Sequence, residues 1–143
     1  MRYANRLPTL THLLPMLVLL ALTLFPFGWL GELWPPVGRW IDQVFPTDGW
    51  HAIGHAGLFC VFGSTALVVL PQLRAKPLRY FGILLLVGVG QEFFQMLYKG
   101  RLLLFDDTRD LATDLAGAAL AFVVVAVSSA RKQITRGREQ IIR

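Results

Sequence analysis

Four apolar runs divide this chain, and they constrain its fold more than any other feature. They cover residues 13–31, 52–70, 78–98 and 111–129. Each is about 20 residues long, the length an α-helix needs to cross the hydrocarbon core of a bilayer. In lipid every backbone amide and carbonyl must be satisfied within the protein, so such runs are read as helices, not open strands. The composition agrees: 55% of the 143 residues are hydrophobic and only 16% charged, a balance outside that of soluble domains. The expected fold is all-α, an integral membrane four-helix bundle forming one domain over residues 1–143. The first run follows Arg2 and Arg6 and has the look of a signal peptide. Its apolar stretch is long for a signal core and no A-x-A site follows, so it is read as a retained span.

The charges fall between the runs. Arg2 and Arg6 precede the first, Arg74, Lys76 and Arg79 separate the second from the third, and the tail at 130–143 carries Arg131, Lys132, Arg136, Arg138 and Arg143 against Glu139. The linker after the first run instead sets Arg39 against Glu32, Asp42 and Asp48. The one after the third sets Lys99, Arg101 and Arg109 against Asp106, Asp107 and Asp110. The positive-inside rule then predicts that both termini are cytoplasmic and that the balanced linkers face outward. The net charge of +5 is accounted for by this topology, and no basic stripe points to a nucleic-acid partner. Trp29, Trp34, Trp40 and Trp50 all fall at the first outer linker, as in an interfacial aromatic belt. That linker, with Pro35, Pro36 and Pro46, is expected to lie along the membrane surface. The basic tail is read either as a helix on the inner leaflet or as a solvated segment. Cys60, the only cysteine, allows no disulfide or cysteine-based zinc site within one chain.

Polar residues inside the spans gather at one end. Glu92 interrupts the third run about two turns before its outer end, and Gln95 follows on the same face. His51 and His55 open the second run at i,i+4, and Asp110 and Asp114 open the fourth with the same spacing. Arg101 and Arg109 sit in the linker above. Ionisable groups within a span face the bundle interior and mark functional paths. Each also has a structural role open to it. Glu92 could pair with Arg101 or His55, and the two aspartates could cap a helix N-terminus. Glycines and alanines such as Gly88, Gly90, Ala116 and Gly117 are read as small surfaces for close helix approach.

These residues resemble a pattern found in the VanZ-like family of small bacterial membrane proteins. The resemblance runs from about His51 to Ala121. It rests on His55, Phe59 and Gly63 in the second span, on E-x-x-Q at Glu92 and Gln95 followed by Gly100-Arg101, and on Asp110, Asp114 and Gly117 in the fourth. The chain departs from the pattern in lacking an Asp-Lys pair before the histidine and in having Asp114 where the pattern has asparagine. The resemblance implies a multi-pass protein of the bacterial inner membrane with a cell-envelope role. The family's founding member is associated with resistance to the glycopeptide teicoplanin.

Three function classes follow. In the first, the polar cluster recognises a lipid-linked envelope precursor or glycopeptide. Arg101 and Arg109 hold an anionic group, and His55, Glu92, Gln95, Asp110 and Asp114 bind hydroxyls or amides. In the second, the protein is an intramembrane hydrolase or transferase with His55, Glu92 and Asp114 as catalytic candidates. A metal-dependent version would join His51 and His55 to Glu92, Asp110 or Asp114. Because H-x-x-x-H arises often by chance on a helix, the sequence assigns no metal and no cofactor. In the third, the cluster locks the helices of a small partner subunit of a homo- or hetero-oligomer among membrane lipids.

Overall fold

A computed structural model describes residues 10–100, 102 and 105–141. All regular structure among them is helical: α1 (Leu10–Leu24), α2 (Phe27–Leu33), α3 (Pro35–Val44), α4 (Asp48–Val69), a 3-10 turn (Pro71–Ala75), α5 (Pro77–Lys99) and α6 (Phe105–Ile141). Segments Asp48–Val69, Pro77–Lys99 and Asp107–Ser129 are each long and apolar enough to cross a membrane. Within them only 28%, 28% and 22% of residues are buried by the protein, so most of their apolar surface faces outward, as lipid contact requires.

The first run is not one straight helix. Leu13–Leu24 and Phe27–Leu33 meet at 61°, and they make a fourth span only if the bent pair is counted as one. The cause is Pro26, which has no amide proton to continue the ladder and restricts Phe25 before it. The Phe25 amide turns back to the Leu22 carbonyl instead, and the Pro26 carbonyl accepts from Leu30 to begin α2. The linker expected to lie along the surface is itself helical. α3 starts with Pro35 at its first position and packs on α2.

Two helices take in charged residues ahead of their apolar runs. α4 begins at Asp48, where Thr47 Oγ1 accepts from the Trp50 amide and Asp48 occupies the acid-favouring first turn. α6 begins at Phe105, so Asp106 and Asp107 belong to its first turn and not to the linker. It runs on unbroken through the basic tail to Ile141. Between α4 and α5, Pro71 and Pro77 bound the 3-10 turn, and Arg74 Nε donates to the Leu67 carbonyl at 2.9 Å. α5 ends on Gly100, left-handed at φ 60°, whose amide bonds to Met96.

α6 packs against α4 and α5, and α1 lies against the same two helices. The apolar core of Phe59, Phe62, Leu67, Leu84 and Ala118 joins α4, α5 and α6. Tyr80 is fully buried among them, its hydroxyl donating to the Ala118 carbonyl at 2.8 Å. Gly63 leaves room for that hydroxyl.

Candidate functional site

The polar residues do share one end of the bundle. His55 lies seven residues in from Asp48, Glu92 seven in from Lys99, and Asp114 seven in from Asp107, the respective ends of the three spanning segments. That is a common depth of about 10 Å. His55 Nδ1 donates to Asp114 Oδ1 at 3.0 Å, and its Nε2 lies 4.0 Å from Asp110 Oδ2. Asp110 and His55 form the rim, with side chains 20% and 15% exposed. Asp114 is wholly buried and Glu92 only 3% exposed. Both Glu92 carboxylate oxygens and Asp114 Oδ2 are buried without a hydrogen-bond partner. One ligand-type atom from each of His55, Glu92 and Asp114 lies within 4.8 Å of the others.

Glycines allow this convergence. At Gly117 a methyl group would lie 2.8 Å from the Ala56 carbonyl carbon and 2.9 Å from its Cα, so α4 and α6 touch through backbone there. Ala56 adjoins His55 and Gly117 stands one turn from Asp114, so their contact brings the imidazole within reach of the carboxylate. Gly88 is one turn below Glu92. A methyl there would come within 2.7 Å of Leu111 Cδ1 and 3.2 Å of Asp114 Oδ2. Phe59, fully buried, closes the floor.

The remaining candidates separate from this group. His51 is exposed, donates to the Thr47 carbonyl at 3.1 Å and packs beside the Phe45 ring. The i,i+4 pair of histidines therefore does not act together: His51 is held in the first turn of α4 while His55 turns to α6. The Gln95 side-chain oxygen accepts from Lys99 Nζ at 3.0 Å along the surface of α5. Arg109 stands at the rim with its Nε 4.0 Å from Asp110 Oδ1. Arg101 lies outside the described residues. Gly88, by its small size a packing residue of the span, also makes room at the site. Its i,i+4 spacing from Glu92 was the available sign of this.

Chemically, the cluster is rich in acceptors. Glu92, Asp110 and Asp114 surround one imidazole, and the only described guanidinium nearby is at the rim. Such a site suits hydroxyl, amide, ammonium or metal groups and disfavours an anion at its floor. No protein family, curated protein or solved structure matches the chain.

Proposed function

We propose that this chain is a VanZ-like protein of the bacterial inner membrane, with cytoplasmic termini. In this reading the His55–Glu92–Asp110–Asp114 cluster binds a cell-envelope lipid or glycan headgroup at the outer leaflet. The observation that carries the reading is Glu92: it is 3% exposed, and neither carboxylate oxygen has a partner. A buried acceptor left unmade is costly, and a sugar hydroxyl or peptide amide entering past His55 and Asp110 would satisfy it. An anionic phosphate of the same molecule would stay at the rim near Arg109, because three carboxylates repel it from the floor.

The test is photocrosslinking from position 102, an exposed site in the linker between α5 and α6, in membranes containing lipid-linked envelope precursors. Adducts carrying a glycan or peptide headgroup are expected in the otherwise native chain and should fall at least tenfold in Glu92→Gln and Asp114→Asn. Equal yields in all three, with the variants still helical and monodisperse, would refute it.

One observation favours a second reading. The 3.0 Å bond from His55 to Asp114 is that of a base held by an orienting carboxylate. In this reading Asp114 is the orienter of His55. A hydrolase or transferase built on this pair would convert a lipid-linked substrate, and turnover lost in His55→Ala while crosslinking persists would single it out.

A further inference from the structure

We infer that His55, Glu92 and Asp114 form a binding site for one divalent transition-metal ion. The three side chains come from three different helices, and their ligand atoms lie within 4.8 Å of one another. Bonds of about 2.1 Å to a tetrahedral or octahedral ion separate neighbouring ligand atoms by about 3.0–3.4 Å. The cluster therefore needs to contract by an ångström or two at its widest, within reach of rotamer adjustments at Glu92.

The second observation is independent of that spacing. Both oxygens of Glu92 and Oδ2 of Asp114 are buried and unpartnered, and the side chains that carry them are more than nine-tenths buried. Carboxylates are taken out of water in this way when they are paired or hold a cation. The imidazole at this depth already gives its Nδ1–H to Asp114. An ion held between His55 and Asp114 takes the place of that proton: Nδ1 becomes the ligand and the ring proton moves to Nε2, and the 3.0 Å separation of Nδ1 and Oδ1 is that of neighbouring ligands on one ion. Nε2–H then faces Asp110 Oδ2, 4.0 Å away, the kind of outer carboxylate that orients a metal-bound histidine. Arg109 stands at the rim, its Nε 4.0 Å from Asp110 Oδ1.

One imidazole and two carboxylates form a nitrogen–oxygen set suited to Zn²⁺ or Mn²⁺, whereas a Ca²⁺ site uses six to eight oxygens. Three protein ligands also leave positions open. A headgroup oxygen could fill one of them, but the ion's binding does not depend on the headgroup reading.

The experiment uses the full chain, purified in detergent and stripped of metal by chelation. Zn²⁺ is titrated by calorimetry, and Co²⁺ is followed by its visible absorption. One ion per chain with sub-micromolar affinity is expected, together with Co²⁺ bands characteristic of nitrogen–oxygen coordination. Glu92→Gln and Asp114→Asn should each weaken binding at least tenfold, and His51→Ala should leave it unchanged. Glu92→Gln removes an unpartnered charge without changing shape, so it is expected to fold, and its metal-free melting temperature should equal or exceed that of the native chain. Failure to bind Zn²⁺, binding indifferent to Glu92→Gln, or binding abolished by His51→Ala would each overturn the inference. Crosslinks to a headgroup that persist without metal binding would overturn this inference and leave the headgroup reading standing.

Discussion

Gly117→Ala tests the geometry on which the site depends. The added methyl would stand 2.8 Å from the carbonyl carbon of Ala56 and 2.9 Å from its Cα, and closer still to the oxygen. Non-bonded carbons settle at about 3.5–4.0 Å, so α4 and α6 must part by on the order of 1 Å. The obstructing atoms are backbone, and no rotamer change relieves them. His55 adjoins Ala56, and its 3.0 Å bond to Asp114 would stretch to about 4 Å, beyond hydrogen-bonding range. Overpacking of this kind costs about 1–3 kcal/mol, from which the better helix propensity of alanine recovers up to about 1 kcal/mol. Thermal unfolding in detergent, followed by tryptophan fluorescence, should show a clear loss of stability. Gly57→Ala is the control: it sits beside Ala56, nothing lies within 4 Å of its added methyl, and it should be neutral or stabilising. A double-mutant cycle with Asp114→Asn should show that the two changes are less than additive, since Gly117→Ala already breaks the bond. A Gly117→Ala variant as stable as Gly57→Ala, or a strictly additive cycle, would refute the reasoning.

Tyr80→Phe removes the donor to the Ala118 carbonyl and should destabilise by about 0.6–1.7 kcal/mol, the range for hydrogen bonds between membrane helices, read from the same melts. Gly100→Ala should cost about 1–2 kcal/mol because Gly100 is left-handed at φ 60°. Nothing crowds that position, so Gly100→Asn should recover most of the loss. For orientation, Leu102→Cys in a Cys60→Ala background should react with a membrane-impermeant maleimide in intact cells. Leu78→Cys, exposed at the other end of α5, should react only after permeabilisation, and the reverse pattern would invert the proposed topology.

Three spans were legible in the sequence because lipid demands a long unbroken apolar run, and such runs are visible without tertiary information; the first run was legible as apolar but not as bent. Their ends were less so. Hydropathy stops at the first charge, but Asp48 and Asp106–Asp107 are favoured in a helical first turn, which moved two helix starts outward. The cluster was legible in depth, since counting residues from the span ends put His55, Glu92 and Asp114 at one level. What counting could not supply was azimuth. His51 and His55 are close to the same face of α4, yet the local bond from His51 to Thr47 withdraws one and leaves the other. Gln95, on the face of Glu92 by spacing, is taken by Lys99. These outcomes depend on competing partners one turn away, and period alone cannot rank them.

The bend at Pro26 bears on how the cluster is reached. A methyl on Gly90 would lie 3.4 Å from Leu24 Cδ2, so the last residue of α1 stands about level with Gly90, just below Glu92. Up to that level α1 lies against both α4 and α5. Beyond it the chain turns by 61°, and α2 follows another face of α5. There Gly28 meets the Tyr98 hydroxyl, and Pro26, Trp29, Phe94, Leu97 and Tyr98 line an open apolar groove of about 360 Å³. Phe94 and Leu97 point roughly opposite to Glu92 at ~100° per residue. α1 thus packs beside the apolar core, while the described residues of the polar cluster come from α4, α5 and α6. Pro26, by breaking the ladder, ends α1 at the level of Gly90, so under the proposed reading a headgroup would enter past the rim formed by His55 and Asp110.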